Sequence, residues 1–274
     1  MVNLIISASR RCDIPKYGKK WFLDNMKQGH VNVTNPFNRN QVKKVSLHNE
    51  DVDLFVFWTK DGSDFTEVLD FLESKNMKFL IQYTINGYPS DIEPFTGDTH
   101  KIIRNFNDIN SRYPGSVLWR YDPVILTDRF DLKYHTEKFT YIFENIKHST
   151  TRCYTSFFDE YRKNKKFIAA HNVNTDDFSK YEEVLAEFDN IVDGSAVKLI
   201  VCSEPINYIS YKNVIKGACI DKDYINDILG LNIQGKRDSG QRKDCYCVKS
   251  TDIGAYNQCK TGCKYCYACN NNKI

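Results

Sequence analysis

Seven short apolar runs recur along the chain, and each has the length and content of a strand buried on both faces. Between several of these runs the apolar residues repeat at i, i+3, i+4 and i+7, which is the spacing of a helix that buries one face. Strand and helix patterns alternate, so we predict a parallel α/β architecture. The strand runs are NLIISAS, HVNVT, DLFVFW, KFLIQYT, SVLWRY, CYTSFF and KLIVC, and the clearest helical sets are Phe65, Val68, Leu69 and Leu72, then Phe139, Ile142, Phe143 and Ile146, then Tyr181, Val184, Leu185 and Phe188.

Polar residues follow nearly every predicted strand. In a barrel of alternating strands and helices these positions converge on the mouth at the carboxyl ends of the strands, whereas an open doubly wound sheet would scatter several of them. We therefore expect a complete or partial TIM-like (β/α) barrel over residues 1–234, with a cysteine-rich segment over residues 235–274 packed on its mouth. The strand-end residues are Arg10, Arg11, Cys12, Asp13, Lys60, Asp61, Tyr83, Asn86, Arg120, Asp122, Asp159, Cys202 and Glu204.

The composition narrows the location and the partners. The 274 residues carry 38 basic and 35 acidic side chains, a formal net charge of +3, which is far below that of a protein built to coat DNA. No apolar run approaches the roughly 18 to 20 residues needed to span a bilayer, and the amino terminus does not have the pattern of a secretion signal. These features predict a cytoplasmic protein with no membrane partner.

Ten cysteines occur in the chain, and six of them follow Asp244. In a reducing cytosol, clustered cysteines are more often metal ligands or redox groups than disulfides. In the stretch CKTGCKYCYAC, Cys259, Cys263 and Cys266 form a C-x3-C-x2-C pattern. Three thiolates on one loop can bind three irons of a 4Fe–4S cluster and leave the fourth iron open to another ligand.

This spacing, with the aromatic Tyr265 directly before the last cysteine of the pattern, resembles the cluster motif of radical S-adenosylmethionine (SAM) enzymes. The resemblance implies that SAM chelates the open iron, that Tyr265 lies beside the adenine, and that one electron cleaves SAM to a 5′-deoxyadenosyl radical. A reducing partner such as flavodoxin or ferredoxin would supply the electron. Most radical SAM enzymes carry the motif after the first strand, whereas here it follows the last. In a closed barrel those two strands are neighbours.

A second resemblance covers nearly the whole chain. The segments ISASRRCDIP, NPFNRNQV, DLFVFWTK, WRYDP, GACID and CYCVKSTDIGAYNQCKTGCKYCYA are similar to domain-of-unknown-function family 1848, a bacterial family. That family has a C-terminal cysteine cluster similar to the radical SAM cluster. The resemblance implies iron–sulfur binding by Cys259, Cys263 and Cys266, within the segment 235–274, and it names no substrate.

Four further cysteines form a candidate second metal centre. Cys245 and Cys247 make a C-x-C pair, Cys202 ends a predicted strand, and Cys219 lies in GACID. Four thiolates from these segments could ligate a second iron–sulfur cluster or a closed zinc site. Cys12, at the end of the first strand, could replace one of the four or face the substrate.

The remaining cysteines leave alternatives open. Cys153 begins an apolar strand and is expected to be a core residue. Cys269 could be a tail thiol, a ligand to a second centre or a hydrogen-atom relay. A zinc ribbon would pair the C-x-C thiols with Cys263 and Cys266, but its first pair is one residue too tight and it leaves Cys259 unexplained.

We therefore expect a radical SAM-like enzyme acting on an unidentified substrate. In WRYDP a guanidinium suited to binding anions is followed by a carboxylate that can orient it. The positions alone do not show which mouth residues would bind SAM and which would bind the substrate. The candidate catalytic residues are Arg10, Asp13, Lys60, Arg120 and Asp122, and the candidate cofactor contacts are Arg11, Glu204 and Tyr265.

Two other functional classes remain open: a zinc-stapled nucleic-acid-binding protein, and a noncatalytic iron–sulfur protein for electron transfer or sensing. The basic runs YRKNKK and GKRDSGQRKD would suit a nucleotide or nucleic acid if they line the mouth, although each is also typical of a solvated loop. The six histidines lack the spacing of a zinc hydrolase, and neither a dinucleotide-binding nor a P-loop glycine pattern occurs.

Overall fold

A computed structural model describes residues 4–242 and 244–269. Within these ranges strands and helices alternate over most of the chain, as predicted. The strands are β1 (Ile5–Ala8), β2 (His30–Asn35), β3 (Asn38–Ser46), β4 (Leu54–Thr59), β5 (Phe79–Thr84), β6 (Val117–Val124), β7 (Arg152–Phe157), β8 (Lys198–Val201), β9 (Val214–Lys216) and β10 (Thr251–Asp252). The helices are α1 (Ile14–Tyr17), α2 (Lys19–Gln28), α3 (Thr66–Ser74), α4 (Thr99–Arg112), α5 (Leu132–Ile146), α6 (Lys165–His171), α7 (Phe178–Val192) and α8 (Lys222–Leu229).

Eight strands form one sheet in the order β10-β1-β4-β5-β6-β7-β8-β9, and each neighbouring pair is parallel. From β1 to β9 the spatial order follows the chain order, and β10 then returns to pair with β1 through Ile6 and Thr251. The predicted α/β class is therefore confirmed. The predicted barrel closure is not shown, because the ladders within the described ranges leave β9 and β10 as the two edges.

The run HVNVT forms a strand, but its predicted place in the parallel sheet is wrong. It becomes β2, which pairs antiparallel with β3 in a separate two-stranded ribbon. The physical reason is its alternation: Val31 is buried whereas Asn32 and Thr34 are not, so only one face can be covered. A strand inside a parallel sheet needs apolar residues on both faces.

The helix-side core confirms the predicted periodicity. The apolar residues of α3, α5 and α7 face the sheet and are buried, and each fully buried aliphatic or aromatic side chain contributes roughly 1.5–3 kcal/mol to folding. Phe65 is buried as well, although it lies one residue before the start of α3. The other members of the three predicted sets are Val68, Leu69, Leu72, Phe139, Ile142, Phe143, Ile146, Tyr181, Val184, Leu185 and Phe188.

A second apolar cluster covers the opposite face of the sheet. Alternate strand residues point into it, from Ile5 in β1 across the sheet to Ile200 in β8. The chain after β9 completes this cluster with Ile225 of α8, Ile233 and Val248. The carboxyl-terminal part of the chain is therefore packed onto the sheet, and through β10 it also supplies one of the strands. None of the helices in the described ranges combines the length and the apolar character that crossing a bilayer requires.

Candidate metal centres

The predicted mouth residues lie at the carboxyl ends of the parallel strands, which form one edge of the sheet. Arg10, Arg11 and Asp13 follow β1, and Lys60 follows β4. Arg120 lies at the middle of β6, paired with Thr84 at the end of β5, Asp122 lies in the second half of β6, and Glu204 follows β8. A cavity of about 900 Å³ is lined by Gly115, Thr150 and Ala196 just before β6, β7 and β8. It therefore lies at the opposite edge and does not belong to the candidate site.

The four cysteines of the tail converge in one group, which we call the tail group: Cys259, Cys263, Cys266 and Cys269. The Cys269 thiol is hydrogen-bonded to the sulfurs of both Cys259 and Cys266. Cys263 is buried and close enough to interact electrostatically with the same two sulfurs. The motif thiols and the unassigned Cys269 therefore share one small volume.

Local hydrogen bonds favour the thiolate form at two members of the tail group. The bond from Cys269 is the main cause that lowers the pKa of Cys259 to about 5 and that of Cys266 to about 7. Thr261 also bonds the Cys259 sulfur at 3.2 Å, and the Ala268 backbone N–H donates to Cys266 Sγ at 3.3 Å. The thiolate is the form that binds metal.

The remaining two thiols of the tail group are held neutral. Burial raises the pKa of Cys263 well above its ordinary value. The pKa of Cys269 is raised because its proton is donated to Cys259 and Cys266. Binding of a metal would have to displace the proton of Cys263.

Tyr265 anchors the tail loop in the protein interior. Its ring packs edge-on against Tyr88, Phe158 and Phe167, with ring centroids 6.1 to 6.4 Å away. Its hydroxyl donates a hydrogen bond to Glu93. The ring is therefore almost fully buried among protein aromatics.

Glu93 is the residue of this region that the sequence did not reveal. It lies in the loop after β5 and is almost fully buried, and its carboxylate accepts from Lys60 Nζ at 2.9 Å and from Thr96 Oγ1 at 3.2 Å, besides Tyr265. Burial alone would lower the pKa of Lys60, but Glu93 and Cys263 outweigh it, so the net shift is upward. Nothing in the local pattern DIEP marks this glutamate, because its partners come from two distant segments.

Asp13 has a structural task that explains its position. Its carboxylate caps helix α1 by accepting from the Lys16 backbone N–H at 3.0 Å, and it accepts from the Lys60 backbone N–H at 2.9 Å. Burial raises its pKa to about 7. The Asp13 backbone N–H in turn bonds the Cys259 sulfur. Asp13 therefore links the ends of β1 and β4 to the tail group.

The structure also brings together Cys202, Cys219, Cys245 and Cys247, which we call the inner group. Cys202 Sγ lies 3.3 Å from Cys219 Sγ. Thiol hydrogen bonds continue from Cys219 to Cys247 and from Cys247 to Cys245. The Ile220 backbone N–H points at Cys247 Sγ at 3.5 Å. Cys202 and Cys247 belong to the apolar cluster on the sheet face opposite α3, α5 and α7, and Cys219 and Cys245 pack against it.

Two arginines stand beside the inner group. Arg120 donates to Cys219 Sγ at 3.1 Å and to Asp122 Oδ2 at 2.6 Å, so the predicted pairing of guanidinium and carboxylate in WRYDP is present. Both guanidiniums lie over the ring of Trp58, with Cζ of Arg120 at 5.1 Å and Cζ of Arg10 at 4.9 Å from the ring centroid. The positive charge of Arg10 also helps to lower the pKa of Cys245.

Arg10 also connects the inner group to the tail group. Its backbone carbonyl accepts a hydrogen bond of 2.8 Å from the Tyr267 hydroxyl, one residue after Cys266. Its Nη1 donates to Ser250 Oγ at 3.1 Å, whereas its Nη2 is buried without a hydrogen-bond partner. A buried guanidinium donor that lacks an acceptor is suited to an anionic ligand.

Arg11 and Glu204, two predicted cofactor contacts, point to different parts of the edge. Arg11 interacts with Asp252 of β10 at 4.0 Å and lies over the ring of Tyr256. Glu204 accepts from the Phe157 backbone N–H at the end of β7 at 3.0 Å, and burial raises its pKa to about 7. These contacts tie Arg11 to β10 and Glu204 to β7, whereas Tyr265 packs among the aromatic rings around Tyr88.

Of the last two cysteines, Cys153 lies in the core, whereas Cys12 lies near the tail group, close enough to Cys259 to interact with it electrostatically. Cys153 is fully buried in β7 on the helix side of the sheet, as predicted for a core residue. Cys12 packs beside Gly254, and burial raises its pKa to about 11. A Cβ on Gly254 would overlap the Ser9 side chain and come within 2.9 Å of Cys12 Sγ, so this close approach of two segments requires glycine.

The donor chemistry of both groups fits a thiophilic metal. All ten cysteines are free of disulfides. As they stand, no group of three or more His, Cys, Asp or Glu side chains in residues 4–242 and 244–269 is arranged to hold a metal ion. The fit therefore rests on the convergence of thiols that hydrogen-bond one another, and ligation would require their deprotonation and small side-chain rotations.

Comparison with known proteins identifies the family. The family model described as "Domain of unknown function (DUF1848)" matches residues 5–268. The chain belongs to this DUF1848 family. The resemblance predicted from the segments quoted above is thereby confirmed, and the match includes the sheet, the inner group and the motif cysteines Cys259, Cys263 and Cys266. No curated protein and no solved structure matches the chain, so membership of the DUF1848 family brings no activity with it.

Proposed function

We propose that this DUF1848 protein is a radical SAM-like enzyme. Cys259, Cys263 and Cys266 would hold a 4Fe–4S cluster, and the 5′-deoxyadenosyl radical produced from SAM would act on a substrate that is not yet identified. The observation that supports this most strongly is the convergence of the three motif thiols at the carboxyl edge of the parallel sheet. Enzymes with such sheets build their sites at this edge.

The residues around the tail group suit such a cluster. When bound, a 4Fe–4S cluster with one open iron supplies the electron that cleaves SAM. The pKa values of Cys259 and Cys266 are lowered, so both ionise easily. The ammonium of Lys60 favours the thiolate of the buried Cys263, against the effect of burial. Aromatic burial of Tyr265 and its bond to Glu93 hold the loop in place. We therefore assign Tyr265 to positioning the loop.

Arg10 is the best-placed residue to bind the carboxylate of SAM. Its Nη2 is a buried donor without a partner, and its backbone touches the tail segment through Tyr267. A bidentate guanidinium–carboxylate pair would satisfy that donor. Arg120 already donates to Cys219 and Asp122 and is therefore less free to bind a ligand.

We also propose that the sheet curves into a partial barrel. The apolar cluster that joins Ile5 in β1 to Ile200 in β8 lies on one face, and the segment containing α8 fills it. A curved sheet with its concave face filled would bring the carboxyl ends of β1 and β8 towards each other. The tail group and Arg10 would then face one shared mouth, as the SAM proposal requires.

The proposal is tested by anaerobic reconstitution of the full-length protein with iron and sulfide. We expect about four irons and four sulfides at the tail group, and 5′-deoxyadenosine after addition of dithionite and SAM. Cys259→Ala, Cys263→Ala and Cys266→Ala should each abolish the nucleoside, whereas the matched control Cys153→Ala should retain it. Wild-type protein that binds a complete cluster but never cleaves SAM would overturn the proposal.

A second candidate is supported by Cys269. Because its thiol touches both Cys259 and Cys266, it could complete a four-thiolate cluster with no open iron, and the protein would then transfer electrons or act as a sensor. Cys269→Ala separates the two. A radical SAM enzyme should still produce 5′-deoxyadenosine with this substitution. A closed cluster should give no nucleoside in the wild type and should lose iron in the variant.

A further inference from the structure

The inner group is more compact than the cysteines of an iron–sulfur cube. Four thiolates around a single zinc ion, each about 2.3 Å from the metal, stand about 3.8 Å apart. In a cube each thiolate binds a different iron, so the sulfurs lie much farther from one another. Cys202 Sγ and Cys219 Sγ are 3.3 Å apart, and further thiol bonds join Cys219 to Cys247 and Cys247 to Cys245. The Cys202–Cys219 separation is therefore nearer to that around a single metal ion than to that in a cube.

The surroundings of the inner group already supply donors for bound thiolates. Arg120 Nη1 donates to Cys219 Sγ at 3.1 Å, and the Ile220 backbone N–H points at Cys247 Sγ at 3.5 Å. Such outer contacts orient metal-bound sulfurs and offset their charge. Cys202 and Cys247 are buried, with 8% and 3% of their surface exposed. Four protein ligands in an enclosed place leave no position for a substrate, which is the mark of a structural site.

We propose that Cys202, Cys219, Cys245 and Cys247 form a closed four-thiolate site for a single divalent metal ion, zinc. The site ties the segment before β10 to the carboxyl ends of β8 and β9. Since no three His, Cys, Asp or Glu side chains in the described ranges are yet arranged to hold an ion, binding requires the four cysteine side chains to rotate until their sulfurs surround one point. The site is independent of the proposed SAM chemistry and would hold β10, and the tail that follows it, against β1.

The test uses a full-length chain in which the tail group cannot bind metal. The triple substitution Cys259→Ala, Cys263→Ala and Cys266→Ala should leave about one zinc per chain by elemental analysis. Adding Cys219→Ser to this chain should remove the zinc, whereas adding Cys153→Ala should not. Cobalt in place of zinc should give the visible d–d bands of a tetrahedral thiolate site.

A second variant keeps the test valid if the Cys219→Ser chain does not fold. Cys245→His keeps four ligands of kinds found in structural zinc sites, and should retain one ion with a cobalt spectrum shifted by the nitrogen ligand. The site is refuted if the triple variant holds no metal, or if reconstitution places about four irons and four sulfides in its inner group. Either result leaves the SAM proposal standing, because that proposal is measured on nucleoside release by the wild type.

Discussion

Replacing Glu93 by glutamine should loosen the whole tail region, because this residue joins three segments. The change leaves the Lys60 ammonium, only 15% exposed, without the carboxylate 2.9 Å away. Removing one partner of a buried ion pair typically costs about 3–5 kcal/mol. The glutamine oxygen can still accept from Tyr265 and Thr96, so we expect a loss of about 3 kcal/mol in the free energy of unfolding, at the lower end of that range.

Urea denaturation followed by circular dichroism measures the change, and limited proteolysis of the tail reports local release of the loop. The matched control is Asp91→Asn, which removes the same charge two residues away, from an ion pair with Arg129 that is more than half exposed. We expect the control to have no measurable effect. The double variant Glu93→Gln with Lys60→Met should be less destabilised than the sum of its parts. A Glu93→Gln protein as stable as the wild type would refute the buried-pair reasoning.

Three further substitutions test other parts of the structure. Gly254→Ala should lower the free energy of unfolding by about 1–3 kcal/mol through overlap with Ser9. Gly235→Ala is the comparison for the added methyl group, because its Cβ would meet only ordinary contacts, the nearest at 3.6 Å. Equal stability of wild type and Gly254→Ala would contradict the close approach. Phe188→Ala should lower the free energy of unfolding by about 3–5 kcal/mol, because the Phe188 ring stacks on Phe139 with the ring centroids 3.9 Å apart. A decrease below about 1 kcal/mol would show that the core is not packed there. Burial lowers the pKa of His135 to about 4, whereas the imidazole of the unfolded chain has a pKa of about 6.5. Between these two pH values the unfolded chain binds the proton and the native chain does not. Stability should therefore fall by about 3 kcal/mol as the pH decreases from about 6.5 to 4, and His135→Gln should reduce this slope in urea titrations; an unchanged slope would refute it.

Much of the fold could be predicted from local pattern. The helix periodicity identified the buried faces of α3, α5 and α7, because one-sided burial leaves a 3.6-residue repeat in the sequence. The exception is β2, which its apolar residues predict as a strand of the parallel sheet but which pairs with β3 in a separate ribbon. The short strand β9 was missed because VIK offers three residues and too little pattern to distinguish it from a loop.

In the candidate site, too, some features could be predicted from local spacing and others depend on the fold. The spacing of Cys259, Cys263 and Cys266 is local information, because one loop carries all three. The grouping of Cys202 with Cys219, Cys245 and Cys247 was available only as a hypothesis about loose pairs, since three segments supply those thiols. Glu93 left no signal at all.

The sequence by itself determined the family, the alternation of strands and helices, and the cluster-like spacing in the tail, because each depends on residues that are near one another in the chain or on quoted segments. The tertiary structure decided which thiols touch, that Asp13 caps a helix, that Tyr265 is buried against Glu93, and that β10 pairs with β1. These contacts join residues far apart in the chain. They depend on how the sheet, the helices and the returning tail bury their apolar faces together, which no local pattern records.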